Sequence, residues 1–303
     1  ALRLVEELQR RELRVADVLL KEIRKNAPPP FITSSLQQAA SSALGLSPAR
    51  TMRIAQKLYE GVNLGHGSAS GLITYMRTDS FFIAQEAREQ ARNYILKTHG
   101  PDFLPETPNQ FRSRSGAQEA HEAIRPTDPA RTPASLKDIL DDWRLYDLIW
   151  RRFIASQMAP ARIAQRTAEI EAIGGADTGP DAFLFRATAS EIAFPGFMRV
   201  SGQEQRKKEE AEGENGAEVE VLPPLEPGEG LDAVEWLNDR KETQPPPRFT
   251  EASLVKVLEE NGVGRPSTYA QIIATLLDRK YVDREKRALV PTDLGLKVWE
   301  FLV

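Results

Sequence analysis

One tyrosine and one arginine lie two residues apart in the stretch GLITYMRTDS. If residues 72–77 are extended, Tyr75 and Arg77 point to the same side, with Ile73 beside them and Met76 opposite. A phenol has a pKa of about 10 and is a weak nucleophile at neutral pH. A neighbouring guanidinium favours the phenolate and can also hold a phosphate through two parallel hydrogen bonds. This pair suits attack on a phosphodiester, although a half-buried strand aromatic beside a surface arginine is the commoner outcome.

A histidine and an arginine lie four residues apart in AQEAHEAIRPT. On a helix, His121 and Arg125 would share one face. An imidazole beside a guanidinium suits a bound phosphate. The alternative is a helix-end histidine without a chemical task, which is the commoner fate of a single histidine.

Capping residues predict two helices before the tyrosine. TSSLQQAASSALG has Thr33 or Ser34 as a helix cap and Gly45 as a stop. LSPARTMRIAQKLYEG restarts with Ser47 as cap and Pro48 at the first helical position. A short extended stretch that contains the tyrosine then follows.

A similar order returns near the end of the sequence. TEASLVKVLEENG predicts a helix capped by Thr250, and a second helix is predicted from Pro266 in RPSTYAQIIATLLDRK. YVDREKRALVPT predicts two short strands around a charged turn. Helix, glycine turn, helix and hairpin together describe a winged helix-turn-helix, and a helical hairpin that packs a core fits the same pattern.

In the centre of the chain, the spacing of apolar residues changes. Residues 161–200 alternate apolar and polar side chains, which predicts antiparallel strands. The preceding stretch ASLKDILDDWRLYDLIWRRFIASQMAP predicts two helices, with Trp150 and Phe153 facing a core. Residues 201–220 are highly charged and predict a solvated loop.

Composition limits the function further. With 303 residues, 41% of them hydrophobic and 28% charged, the chain predicts a soluble globular protein of two or three domains. The absence of cysteine excludes disulfides and cysteine-ligated zinc in this chain. A net charge of −4 argues against a wholly basic nucleic-acid coat but allows a local basic groove. Neither a membrane-spanning run nor a signal peptide is evident, so we expect no membrane partner and a cytoplasmic location.

Six stretches, in the same order, resemble the bacterial type IA DNA topoisomerases. They are PFITSSLQQAAS, GLITYMRTDS, AQEAHEAIRPTD, LIWRRFIASQMAPA, PPPRFTEASLVKVLEENGVGRPSTYAQIIATLLDRKYV and VPTDLG. The resemblance implies that Tyr75 attacks single-stranded DNA and becomes linked to its 5′ phosphate, with Arg77 as the phosphate and transition-state partner. It also implies DNA-binding residues, namely His121, Arg125, Arg265, Ser267 and Thr268. Arg248 and Glu251 lie in a matching stretch without a firm role.

The resemblance also implies an α+β, multidomain architecture. Winged-helix-like helical domains would be joined by an antiparallel β-rich hinge, as part of a toroidal core. A base domain with a single-strand DNA groove would comprise residues 1–10 and 241–303. The β-rich arch or hinge would comprise 11–26 and 161–240, and the gate domain carrying the tyrosine would comprise 27–160.

The implied reaction is cleavage of one strand, passage of another and religation, which relaxes negative supercoils. The family holds its catalytic Mg²⁺ in a Toprim domain with a glutamate and a DxDxD motif, which this sequence lacks, as it lacks the family's zinc ribbons. We therefore expect no metal site in this chain and no cleavage by the chain alone. The expected partners are single-stranded and negatively supercoiled DNA, bound by a monomer in the nucleoid. The alternative is a non-enzymatic single-stranded DNA-binding module.

Overall fold

The computed structural model describes residues 2–64, 69–113, 121–174, 182–202 and 222–302. In this part of the chain the helices are α1 (Leu2–Leu8), α2 (Thr33–Leu44), α3 (Pro48–Glu60), α4 (Gln85–His99), α5 (Pro133–Leu136), α6 (Trp143–Ser156), α7 (Met198–Ser201), α8 (Glu251–Glu260), α9 (Tyr269–Asp278) and α10 (Asp293–Leu302), with a short 3-10 helix at Pro101–Phe103. The strands are β1 (Glu12–Lys25), β2 (Val62–Asn63), β3 (Ala69–Ser70), β4 (Ala161–Ile173), β5 (Ala182–Phe194), β6 (Gly230–Leu231), β7 (Val282–Glu285) and β8 (Ala288–Pro291). The fold class is α+β, with antiparallel sheets.

The chain forms two compact units. The first contains Ala1–Asn26 and Pro160–Pro245, and the second contains Ala27–Ala159 and Pro246–Val303. The first unit includes α1, whereas we predicted residues 1–10 to join the C-terminal residues in a base domain. The three-domain division stays a prediction.

The first unit is built on a four-stranded sheet in the order β5-β4-β1-β6. β1 pairs with β4 along its length, from Glu12 opposite Ile173 to Lys25 opposite Ala161. β4 pairs in turn with β5, so the alternating segment does form antiparallel strands as predicted. The charged insert predicted at 201–220 lies outside the described residues, except for its first two.

The sheet has a thin core. Its buried cluster consists of Ala168, Ala189 and Leu222, while Leu20 and Leu184 remain 74% and 61% exposed. Cross-strand pairs therefore contribute to its stability, such as the Arg186 to Glu169 ion pair at 2.6 Å.

Arg11 joins α1 to the sheet. It is almost completely buried, pairs with Glu7 at 2.6 Å and donates to the carbonyl oxygen of Ala172 at 3.3 Å. Its guanidinium also lies 4.6 Å from the centre of the Phe183 ring. These contacts explain why the first residues fall in this unit.

The second unit begins with the two helices that precede the tyrosine. Ser47 caps α3 by accepting from the Arg50 N–H, and Pro48 is its first residue, as predicted. Gly45 ends α2 in the left-handed conformation, also as predicted. The predicted cap at Thr33 or Ser34 is wrong, because Ile32 occupies the cap position and its N–H donates to the Ser35 hydroxyl.

A helical core fills the second unit. Phe31, Leu36, Phe153 and Ile124 are fully buried, and Trp150 is nearly so. The two predicted helices of this region are α5 and α6, and the expected inward positions of Trp150 and Phe153 are confirmed.

The C-terminal part of this unit has helix, turn, helix and hairpin in the predicted order. Thr250 caps α8 by accepting from the Ser253 N–H. The next helix, α9, begins at Tyr269 and not at Pro266, because residues 266–268 form a turn. β7 and β8 form the predicted hairpin, and the winged-helix assignment stays a prediction. None of the helices within the described ranges combines the length and apolar character needed to cross a membrane.

Candidate active site

The loop that carries the tyrosine lies between the end of α3 and the segment 121–127. Leu72 N–H donates to the Leu58 carbonyl at 2.8 Å, and Thr127 N–H donates to the Leu72 carbonyl at 3.0 Å. Only Ile73, which bridges to Pro126, pairs as a strand residue would. The predicted extended stretch 72–77 is therefore present only around Ile73, because bends at residues 74, 76 and 77 interrupt it.

Two threonine hydroxyls, on the buried Thr33 and the half-buried Thr74, fix the backbone on both sides of the tyrosine. The Thr74 hydroxyl donates to the Ala123 carbonyl at 2.7 Å. The Thr33 hydroxyl lies 2.7 Å from the Met76 carbonyl and accepts from Thr78 N–H at 2.9 Å. Because an unpaired buried backbone group is costly, these bonds hold the loop in one conformation.

Tyr75 is half-buried, whereas Ile73 and Met76 are completely or almost completely buried. Ile73 therefore does not share the exposed side with Tyr75, as the strand prediction required. The Tyr75 ring centre lies 5.4 Å from that of Tyr59, edge to face, and 5.5 Å from that of His121. Aromatic pairs at these distances are attractive, so both neighbours help to set the orientation of the phenol.

Gly71 permits the close approach of the loop to α3. A Cβ atom at this position would lie 2.8 Å from the carbonyl oxygen of Tyr59, closer than van der Waals contact allows. Any larger residue would push the loop away from α3 and separate Tyr75 from Tyr59.

Tyr75 and Arg77 line one cavity of about 580 Å³. It is lined by Tyr75, Arg77, Asp79, His121, Arg265, Pro266 and Ser267, and we call it the tyrosine cavity. Five of the seven predicted site residues therefore meet, although they come from three distant stretches of sequence. Two guanidiniums and one imidazole in the same cavity provide the groups that a phosphate requires.

Arg125 does not line the tyrosine cavity. Its guanidinium donates to Glu122 at 2.6 Å and to the Pro126 carbonyl at 3.1 Å. The predicted helix that would put it beside His121 is wrong for residues 121–127, because this segment bridges to Phe31 and Ile73. An extended chain separates the two side chains that a helix would bring together.

Thr268 also lies outside the lining of the tyrosine cavity. Its hydroxyl accepts from Arg265 N–H at 2.8 Å, so it fixes the turn before α9. Arg265 itself is exposed and donates to the Gly264 carbonyl at 2.9 Å. Thr268 thus holds the backbone of Arg265 in place, and its contact with DNA stays a prediction.

Sequence reasoning missed Asp79 and Tyr59. Asp79 follows Tyr75 by four residues within the same motif, so its closeness in the sequence could have indicated that it lines the same cavity. Tyr59 is separated from Tyr75 by sixteen positions, and nothing in the local pattern indicates their contact. Glu251, for which we predicted no firm role, forms an ion pair with Arg284.

The residues present do not fit a magnesium site. Within the described ranges, no group of three or more histidine, aspartate or glutamate side chains is placed to hold a metal ion. Asp79 supplies a single carboxylate at the tyrosine cavity, whereas Mg²⁺ in proteins takes near-octahedral oxygen ligands.

Known proteins match this chain along its whole length. A family model described as DNA topoisomerase matches residues 1–303. DNA topoisomerase 1 of Xylella fastidiosa (strain 9a5c) is 45% identical over 305 residues, which cover 100% of this chain and 36% of that protein. DNA topoisomerase 1 of Rickettsia felis is 45% identical over 303 residues, which cover 99% of this chain and 37% of that protein.

A solved structure shares the fold. The structure of full-length topoisomerase I from Thermotoga maritima superposes with a TM-score of 0.81 at 36% identity, covering 100% of this chain and 47% of that chain. The chain thus spans little more than a third of the two curated relatives and about half of the solved one. Because the family match and the fold both extend over the whole sequence, the chain belongs to the bacterial type IA DNA topoisomerases.

Proposed function

We propose that Tyr75 is the residue that cleaves and rejoins single-stranded DNA in the longer enzyme of which this chain is a part. The phenol attacks a backbone phosphate and forms a 5′-phosphotyrosyl link. Passage of a second strand and religation then relax negative supercoils. Family membership supports DNA as the substrate, and the geometry of the tyrosine cavity supports the assignment of the nucleophile.

The observation that carries the proposal is the placement of the Tyr75 hydroxyl. It has no hydrogen-bond partner among the residues that the structure describes, and it borders a cavity lined by Arg77 and Arg265. The cavity volume, about 580 Å³, falls within the range of about 300–1,000 Å³ that small-molecule sites occupy. The nucleophile is thus accessible, while the flanking backbone is fixed by side-chain hydrogen bonds from Thr33 and Thr74.

Cleavage exchanges one phosphate ester bond for another. A bond forms between the Tyr75 oxygen and phosphorus while the bond between phosphorus and the 3′ oxygen breaks. The phenol loses its proton and the departing 3′ hydroxyl gains one. Arg77 holds the phosphate and offsets the charge that develops on it, and His121 contacts a phosphate oxygen. Because the new ester is close in energy to the old one, the 3′ hydroxyl can reverse the reaction without an external energy source.

Mg²⁺ remains a proposal for the longer enzyme. When bound, it would help to position the strand and neutralise phosphate charge. Since the described residues do not fit such a site, we assign it to another part of the enzyme and derive no step through it. The chain alone is then expected to bind single-stranded DNA without cleaving it.

We also keep the finer architecture as part of the proposal. The order of α8, α9 and the β7–β8 hairpin supports a winged-helix-like element that presents Arg265 and Ser267 to a single strand. The antiparallel sheet of the first unit is the proposed hinge.

The test compares three forms of the longer enzyme, namely the wild type, Tyr75→Phe and Tyr59→Phe. Each is incubated with labelled single-stranded DNA and Mg²⁺, then denatured, and the labelled protein is counted. The wild type and Tyr59→Phe should form a covalent adduct, because Tyr59→Phe keeps the ring that contacts Tyr75. Tyr75→Phe should form none, while its affinity for the same strand stays within about two-fold, because only a hydroxyl is lost.

An adduct that persists in Tyr75→Phe would show that the nucleophile is another residue. Binding by all three proteins without an adduct in any of them would instead support the binding-only module.

A further inference from the structure

A second cavity adjoins the tyrosine cavity. Its volume is about 690 Å³, and it lies between α3 and the start of α9. It shares Arg77, Pro266 and Ser267 with the tyrosine cavity, so the two form a continuous path. We call this second cavity the helix trough.

One face of α3 forms one wall of the helix trough. The lining positions recur every three or four residues, as one side of a helix requires, and they are Ala49, Met52, Arg53, Gln56, Lys57 and Glu60. Ala270 and Gln271 line the opposite wall, on α9. The lining therefore combines the apolar side chains of Ala49, Met52 and Ala270 with polar and charged ones, among them Glu60.

The positive charge of the trough is only partly compensated. Lys57 lies 3.7 Å from Asp142, and Glu60 accepts a hydrogen bond from Gln56 at 2.5 Å. Arg53 and Arg77 make no ion pair with any residue that the structure describes. Although the chain has a net charge of −4, two guanidiniums without an ion-pair partner among the described residues lie along this path. Such an arrangement attracts an anion.

The remaining groups indicate the kind of anion. The Gln271 amide is exposed and unbonded within the described part of the chain, so it is free to pair with the polar edge of a nucleobase. Among the residues that the structure describes, no aromatic side chain lines the trough, so we do not base the affinity on stacking. A guanidinium that binds a phosphate and an amide that pairs with a base edge together fit a single nucleotide.

We propose that the helix trough binds the nucleotide next to the one whose phosphate faces Tyr75, with Arg53 on its phosphate and Gln271 on its base edge. This inference rests on the proposed function, because it extends the same strand. It assigns α3 a task besides carrying Tyr59, namely to hold the strand beside the cleavage point.

The test uses the 303-residue chain with two ligands, thymidine 5′-monophosphate and a thymidine decanucleotide, and measures affinity by fluorescence anisotropy and competition. Arg53→Gln should weaken binding of the decanucleotide about three- to ten-fold and reduce the slope of log K against log salt by about 0.7, because one phosphate contact is lost. It should change the affinity for thymidine 5′-monophosphate by less than about two-fold, since a single nucleotide in the tyrosine cavity has no neighbour that reaches Arg53.

Two matched variants make the result specific. Arg50→Gln removes the same charge from an exposed position of α3 outside the trough and should leave both affinities unchanged. Arg265→Gln acts at the tyrosine cavity and should weaken the binding of both ligands. Gln271→Ala should reduce the difference in affinity between decanucleotides of different base composition.

Three outcomes overturn the proposal. If Arg53→Gln has no effect while Arg265→Gln weakens binding, the trough is not a nucleotide site and the proposed function stands. If Arg53→Gln and Arg50→Gln weaken binding equally, the loss comes from the lower net positive charge of the surface, and the trough is again excluded as a nucleotide site. If the wild-type chain binds no oligonucleotide, DNA binding by this chain fails, and the trough proposal fails with it.

Discussion

Two tyrosines of the same unit lie in opposite surroundings. Tyr146 is completely buried, and its hydroxyl donates to the Arg131 carbonyl at 2.7 Å. Burial, with a smaller contribution from the Asp128 carboxylate, raises the pKa of the Tyr146 phenol above its ordinary value. Tyr75 is half-buried on a cavity, without a hydroxyl partner among the described residues. The first hydroxyl serves the fold, and the second is available for a reaction.

The comparison extends to the backbone around each ring. Tyr146 lies on a regular helix, whereas the Tyr75 loop has almost no regular structure and depends on side-chain hydrogen bonds. The rigidity of the reactive loop therefore rests on a few threonines, and variants that remove those bonds should have the largest effect on stability.

Thr33→Val should lower the free energy of unfolding by about 1–3 kcal/mol, because Thr78 N–H then stays buried without its acceptor. Urea denaturation of the 303-residue chain measures the change. Thr132→Val is the control, since the Thr132 side chain makes no capping bond. Equal losses in the two variants would show that Thr33 does not hold the loop.

Tyr146→Phe should lower the free energy of unfolding by about 0.5–1.5 kcal/mol, because the Arg131 carbonyl loses its donor. The same measurement applies. A variant as stable as the wild type would mean that the Tyr146 hydroxyl contributes nothing to the fold and that the contrast with Tyr75 is mistaken.

The Tyr146 phenol should also make stability depend on pH. Since the folded state raises its pKa, the folded chain keeps this proton more tightly than the unfolded chain. Its contribution is fully present below the unfolded pKa of about 10 and is lost as the pH rises further towards the folded pKa. From about pH 9 to pH 11, the free energy of unfolding should fall more steeply in the wild type than in Tyr146→Phe. Parallel curves for the two proteins would contradict this.

Tyr75→Phe should have the smallest effect on stability, within about 0.5 kcal/mol, because its hydroxyl bonds to nothing described. Thermal and urea unfolding of the same chain measure it. A loss as large as that of Tyr146→Phe would indicate a structural role for the Tyr75 hydroxyl.

Local signals in the sequence predicted the elements but not the loops of the site. Ser47 and Thr250 cap helices through bonds to residues three positions away, and Pro48 follows Ser47 directly, so the sequence shows these signals locally. The alternation along β4 and β5 is equally local.

The extended prediction for 72–77 holds only around Ile73 and the helix prediction for 121–127 is wrong, and both have the same cause. These segments bridge to each other, Ile73 to Pro126, across more than fifty residues. Nothing in the local pattern reports such a contact, so a strand and a helix were predicted where the chain forms paired loops. The meeting of Tyr75, Arg77 and His121 at one cavity was implied by family resemblance, whereas the contact with Tyr59 emerged only from the fold.

The most direct test of the central claim is to identify the residue that becomes linked to DNA. The longer enzyme is reacted with a single-stranded oligonucleotide and Mg²⁺, denatured, and digested with nuclease and trypsin. Tyr59 and Tyr75 fall on the same tryptic peptide, residues 58–77, so fragment-ion mass spectrometry must locate the added nucleotide phosphate within it. We predict that the phosphate is on Tyr75 and that Tyr59 is unmodified; a phosphate on Tyr59, or on any other residue, would contradict the account.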